Sequence, residues 1–126
     1  MKNVVDSSGW LEFFADGKNA EAFAEPIQNV EQLVVPTISI LEVFKRVLQQ
    51  RDETAALQAA AIMRQGSVVG LSADLAIGAA ALGHRERLPL ADSVILATAR
   101  QHGAILWTQD SDFEGLAGVR YFSKAR

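Results

Sequence analysis

Leu90-Ala91-Asp92-Ser93-Val94-Ile95-Leu96-Ala97-Thr98-Ala99-Arg100-Gln101-His102-Gly103-Ala104-Ile105-Leu106-Trp107-Thr108-Gln109-Asp110-Ser111-Asp112 is the stretch from which the fold is read. Apolar periodicity predicts a helix over Ala91–His102, with Gly103 as its stop. Ala104–Thr108 follows as a short strand. An acid stands near the start of the helix, Asp92, and two more follow the strand, Asp110 and Asp112. In an α/β unit those two ends lie on one edge of the sheet, where such folds bind ligands.

The same alternation runs outward to both termini. Lys2–Val5 reads as a strand that stops at Asp6-Ser7-Ser8-Gly9, and Trp10–Phe14 as a helix. A helix over Ala20–Gln28 and a strand over Gln32–Val35, closed by Pro36, come next. Thr37 is placed to cap a helix over Ile38–Arg51. Glu53–Gln65 is Ala-rich and helical, with Gly66 where a C′ glycine belongs. Ser67–Leu71 is a β-branched run and the third strand. Ala73–Gly83 is helical and Leu88-Pro89-Leu90 breaks the pattern. Val119–Phe122 is the fifth strand, and Ser123–Arg126 reads as a frayed tail. No repeat, low-complexity segment or linker interrupts the chain. The expectation is one domain over residues 1–126, a three-layer α/β/α sandwich around a mainly parallel, about five-stranded sheet.

Composition narrows the chemistry. The 126 residues contain 12 Lys+Arg and 15 Asp+Glu, a formal charge of −3, and no cysteine. Disulfides, zinc knuckles, iron–sulfur clusters and cysteine nucleophiles are excluded. No apolar run approaches the roughly 18–20 residues of a membrane span, and the N-terminal apolar stretch is too short for a signal peptide, so a cytoplasmic protein is expected. Net acidity weighs against nucleic acid only if the acids are spread over the surface.

They are not spread in this reading. Asp6, Glu42, Asp92, Asp110 and Asp112 fall at the carboxyl edge of the sheet. Each has an ordinary reading as well. Asp6, Asp92 and Asp112 precede helical stretches and fit as N-caps. Glu42 projects from a helix whose apolar face is Ile40, Leu41, Phe44, Val47 and Leu48, and it is spaced to pair with Arg46. Converging carboxylates repel one another, and a hard divalent cation such as Mg²⁺ or Mn²⁺ relieves the repulsion. With only His84 and His102 beside the acids, zinc is disfavoured. No P-loop, dinucleotide fingerprint or nucleophile elbow occurs, and neither histidine completes a Ser-His-Asp set. Ser7, Ser8 and Ser93 fit hydrogen-bonding and capping roles.

Four segments carry a resemblance. Val4-Val5-Asp6-Ser7-Ser8, Pro36-Thr37-Ile38-Ser39-Ile40-Leu41-Glu42-Val43, Leu90–Ala99 and Leu106–Phe113 together resemble PIN-domain proteins, and among them the VapC-type toxins of toxin–antitoxin pairs. The resemblance spans essentially the whole chain. It implies a Mg²⁺- or Mn²⁺-dependent ribonuclease that hydrolyses RNA phosphodiester bonds with metal-activated water, leaving 3′-hydroxyl and 5′-phosphate ends. It implies Asp6, Glu42, Asp92 and Asp110 as catalytic, metal-site acids, with Asp112 in the metal site through water or as a turn residue. Thr108 and Ser7 would support them. It also implies a homodimer and a small VapB-like antitoxin whose C-terminal segment lies over the groove.

Lys45, Arg46, Arg85, Arg87 and Arg100 are candidate contacts to RNA phosphates. Trp10, Phe13 and Trp107 are read as core or partner-facing rather than as base-stacking platforms. Setting the five crevice acids aside leaves 12 basic against 10 acidic residues, so RNA binding is expected to depend on the metal. The competing expectation is a non-catalytic module whose acidic groove binds a basic peptide. A receiver-like or phosphatase domain with an Asp nucleophile ranks last, because Asp6 is followed by Ser7-Ser8 and lacks the D-x-D context.

Overall fold

A computed structural model describes residues 1–124. Six helices alternate with five short strands: β1 (Asn3–Val5), α1 (Ser7–Phe14), α2 (Ala20–Gln28), β2 (Val34–Pro36), α3 (Thr37–Gln50), α4 (Glu53–Met63), β3 (Ser67–Val69), α5 (Ala73–Glu86), α6 (Leu90–Gln101), β4 (Ile105–Thr108) and β5 (Val119–Tyr121). Every strand pairing is parallel. The ladder is not continuous: β1-β4-β5 and β2-β3 form separate sheets. Among the described residues a parallel bridge, Asn3 to Leu33, joins them. The resulting order, β3-β2-β1-β4-β5, reverses direction between β1 and β4. That switch point opens a crevice beyond the carboxyl ends of the two strands.

Strand alternation divides the core into two layers. Val5, Val35 and Trp107 face α1–α4, packing with Trp10, Phe23, Val43, Ala59 and Met63. Val4, Val34 and Leu106 face the other way, onto Leu82 of α5, Ile95, Leu96 and Ala99 of α6, and Phe113. This is the period of two that a sheet covered on both faces requires. Burial of a phenylalanine such as Phe23 contributes roughly 2–3 kcal/mol relative to exposure.

Several local expectations change. α1 begins at Ser7 rather than Trp10, because the Asp6 side chain accepts from Gly9 N and starts the helix immediately after β1. Gly9 belongs to that helix, where a Cβ would stand 2.7 Å from Val5 Cγ1 and 2.8 Å from Phe23 Cε1. The glycine thus lets α1 lie directly on the strand. Thr37 makes no side-chain cap; Pro36 occupies the cap position of α3. Gly66 is not a left-handed helix stop. Its Cβ would press to 2.9 Å on the Leu33 carbonyl, where β3 enters beside β2. Leu41 and Leu48 are 59% and 45% exposed, so the buried stripe of α3 is Ser39, Val43 and Val47. The strand over 67–71 shortens to Ser67–Val69, an exposed edge. α5 runs on to Glu86 and ends on Arg87 in the left-handed region, φ 59°. Of the expected tail, Ser123 is held by Asn19 Nδ2 at its carbonyl, and Ala125 and Arg126 lie outside the described residues.

Candidate active site

The first acid follows directly from β1. Parallel pairing sets Val5 opposite Trp107, so Asp6 leaves its strand beside Thr108. Asp6 is 2% exposed. Its carboxylate accepts from Gly9 N at 3.0 Å, from Thr108 Oγ1 at 2.8 Å and from Ser8 Oγ, which lies 2.9 Å from both oxygens. These donors favour the ionised form, yet burial outweighs them and pushes the carboxyl up to about 6. Asp6 therefore caps α1 and lines the crevice at once; the ordinary reading and the functional one coincide.

Beyond β4 the acids are held by a directional chain of hydrogen bonds. Asp112 N donates to Asp110 Oδ1 at 2.9 Å, Asp110 N donates to Thr108 Oγ1 at 2.9 Å, and Thr108 Oγ1 donates to Asp6. Asp110, not Asp112, caps the short 3₁₀ turn Ser111–Phe113. Thr108 is fully buried and uses its hydroxyl as both donor and acceptor, which a valine of the same shape cannot do.

Asp92 is not an N-cap. α6 starts at Leu90 with Pro89 in the cap position, and Asp92 sits inside the first turn. Its carboxyl is pushed up to about 7, first by burial, then by the charges of Asp110, Asp6, Asp112 and Glu42 in that order. The other four acids thus all act on Asp92. Asp92, Asp110 and Asp112 each present an oxygen within 4.8 Å of the others, the chemistry of a hard-cation site. Asp6 and Glu42 stand outside that trio but line the same crevice as Asp92 and Asp110, a space of about 570 Å³. Glu42 does not pair with Arg46; it accepts from Ser7 Oγ at 2.6 Å, a contact between α1 and α3.

The candidate cations divide. Lys45 and Arg46 line the crevice. Arg85 stands 3.9 Å from Glu86, and Arg87 forms the turn after α5. Arg100 donates to the Ala117 carbonyl at 3.0 Å, at the far end of α6 from Asp92. Trp10 and Trp107 are buried in the core.

One polar cluster has no sequence signal. Glu12 accepts from Asn19 N at 2.8 Å and from Gln109 Nε2 at 3.4 Å, and Asn19 Nδ2 donates to Gln109 Oε1 at 2.9 Å. It ties the loop after α1 to the exit of β4. Gln109 lies about 90 residues from Asn19 and Glu12, which leaves no local spacing to read. Ser8 was legible as a hydrogen-bonding residue, but its choice of Asp6 over Glu42 was not.

Fold and site together define an open parallel α/β protein with a carboxylate-lined crevice at its switch point. The chain belongs to the PIN domain family, whose profile matches residues 4–119. Among solved structures it is similar to a toxin–antitoxin complex from Klebsiella pneumoniae, at 25% identity and a TM-score of 0.81, covering 97% of this chain and 99% of that one. It is similar to VapC20 of Mycobacterium tuberculosis, a sarcin-ricin loop cleaving toxin, at 19% identity and a TM-score of 0.75, covering 92% and 95%. A third likeness is to VapBC2 of Rickettsia felis bound to a promoter DNA fragment, at 12% identity and a TM-score of 0.75, covering 98% of each chain. No curated protein matches the sequence. Among the described residues no helix is long and apolar enough to cross a membrane.

Proposed function

We propose that the chain is a Mg²⁺- or Mn²⁺-dependent ribonuclease toxin of the VapC kind, restrained by a small antitoxin, with residues 1–126 acting as one PIN-like domain in the cytoplasm. The observation that carries this reading is the convergence of Asp6, Glu42, Asp92 and Asp110 on one crevice at the sheet's switch point. Asp92, Asp110 and Asp112 offer the closest-spaced oxygens for the cation, with Asp6 and Glu42 completing the acidic wall. When bound, the cation supplies positive charge that activates water and offsets charge building on the scissile phosphate.

The protein's own residues do the rest. Ser8, Thr108 and Gly9 N fix both oxygens of Asp6. Ser7 orients Glu42 toward the crevice. Asp92 holds a proton near neutral pH while uncompensated negative charge surrounds it, and releases that proton as the charge is met. Lys45 and Arg46 on the crevice wall bind phosphates flanking the cleaved bond.

Two surfaces suit the partners. A groove of about 470 Å³ between α1, α3 and α4, with Leu11, Phe14, Val47 and Ile62 in its walls, meets the acidic crevice at Ser8, Leu11 and Arg46. It suits an antitoxin segment that ends among the acids. Leu71, Ile77 and Leu90, at 52%, 70% and 85% exposure, give α5 and its neighbours an apolar face suited to a second copy.

The test is RNA cleavage by antitoxin-free protein with Mg²⁺ or Mn²⁺, against chelator and against Asp6→Asn and Asp92→Asn. Cleavage that survives both substitutions rejects the site. A non-catalytic peptide-binding module predicts tight binding of a basic peptide and no metal-dependent cleavage.

A further inference from the structure

Gly83 and Gly78 both lie inside α5, and their surroundings are opposite. A Cβ on Gly78 would meet nothing within 4 Å. A Cβ on Gly83 would overlap Ser93 Oγ and stand 2.9 Å from Ser93 Cβ. Neither glycine has a positive φ, so the backbone does not call for glycine at either position. A helical glycine costs about 1 kcal/mol relative to alanine, and only Gly83 returns something for it.

What it makes room for is the Ser93 side chain, 4% exposed. Ser93 Oγ donates to Pro89 O at 2.9 Å and reaches Leu88 O at 3.4 Å. Ser93 N donates to the same Pro89 carbonyl at 2.9 Å. Pro89 contributes no side-chain cap, so these bonds are what hold the opening turn of α6 to the chain before it. Gly83 O accepts from Leu88 N at 3.0 Å, which ties the same turn back to α5. Asp92 is the residue before Ser93, inside that turn.

We infer that the Gly83–Ser93 contact is a positioning device for Asp92: α5 comes within touching distance of Ser93, and this seats the turn that points Asp92 at Asp110 and Asp112 across the crevice. Gly83 and Ser93 act through Asp92 and touch neither cation nor RNA. The inference rests on the placement of Asp92 in the metal site proposed above, and its test separates the two.

Amide NMR spectra of metal-free protein, followed by Mn²⁺ titration, are recorded for wild type, Gly78→Ala, Gly83→Ala, Ser93→Ala and the exchange variant Gly83→Ala/Ser93→Gly. In Gly83→Ala, the resonances of Leu90–Val94 and of Asp110–Asp112 move, and Mn²⁺ affinity falls about tenfold, the scale expected when a residue supporting a ligand is lost. The exchange variant removes the overlap but also the Ser93 hydroxyl, so its affinity recovers only to the level of Ser93→Ala. Gly78→Ala changes neither reading. Shifts confined to α5, or Mn²⁺ affinity unchanged in folded Gly83→Ala, overturn the inference. Should Gly83→Ala not fold, Ser93→Ala decides. It leaves the space open and removes only the hydroxyl, so affinity falls several-fold with little change in melting; unchanged affinity overturns the inference. If wild type itself gives no Mn²⁺ broadening at Asp92 and Asp110, the metal reading fails, and the metal-free shifts across the crevice still decide the positioning role.

Discussion

Asp6 and Asp92 stand on one crevice, and burial raises both carboxyls most, but what else acts on each differs. Asp6 ends β1 in full burial with three donors on its oxygens, and burial, joined by a smaller push from the Asp110 charge, drives its carboxyl upward. Asp92 opens α6 half-buried, and after burial its proton is held by four other acids. At the first, hydrogen-bond donors oppose burial; at the second, the charges of four acids add to it. Asp6 therefore depends on its hydrogen-bond donors, whereas Asp92 depends on whatever charge enters the crevice.

The largest expected effect is on chemistry. Asp6→Asn and Asp92→Asn each lower metal-dependent RNA cleavage by about a hundredfold or more, read as initial rates on a defined RNA. Their metal-free stabilities should part. Asp92→Asn removes a charge its surroundings disfavour, so it melts higher than wild type at pH 8 and close to it at pH 4. Asp6→Asn turns an amide N–H toward Ser8 and Thr108, which already donate there, so it melts lower than Asp92→Asn throughout. Identical melting of the two variants would erase the distinction.

The second prediction is the pH dependence. In the unfolded chain both carboxyls ionise near 3.8, whereas in the folded chain they ionise near 6 and 7. Between those values the folded protein binds more protons, so metal-free stability is full below about pH 4 and declines as pH rises to 7. Asp6 accounts for about 3 kcal/mol of that loss by proton linkage. Urea unfolding from pH 4 to 8 measures it. Saturating Mg²⁺ should flatten the decline, and its affinity should strengthen over the same interval as protons are released. Stability that rises from pH 4 to 7 without metal would contradict the picture.

Next in size is Thr108→Val, which removes a donor from Asp6 and the acceptor of Asp110 N. It should cost about 1–2 kcal/mol and lower cleavage about tenfold. Ser7→Ala frees only Glu42 and should lower cleavage a few-fold, with denaturation midpoints nearly unchanged. The smallest contrast is between two arginines. Arg46→Ala raises the KM for RNA several-fold at low salt, and Arg100→Ala leaves it near wild type because its guanidinium serves the Ala117 carbonyl.

Much of this molecule is legible along the chain. The alternation of elements, the placement of acids after strand ends and the break at Leu88-Pro89 are local patterns, and local periodicity records them. Short range also explains the misreadings. Asp6-Ser7-Ser8-Gly9 read as the stop of β1, with the helix placed from Trp10, but the Asp6 cap and the close fit of Gly9 over Val5 make Ser7–Gly9 the first turn of α1. Thr37 and Gly66 carry correct cap chemistry for caps the backbone does not form.

The sequence by itself determined the α/β class, the parallel order of its connections and the five acids at one edge, because hydrophobic period and element order suffice for these. Tertiary structure alone decided that the sheet divides between β1 and β2. It also decided that Glu42 takes Ser7 and not Arg46, that Thr108 links Asp110 to Asp6, and that Gly83 rather than Gly78 has a neighbour to accommodate. Each is a contact between residues far apart in the chain, set by how closely two elements approach, and no spacing along the sequence encodes that distance.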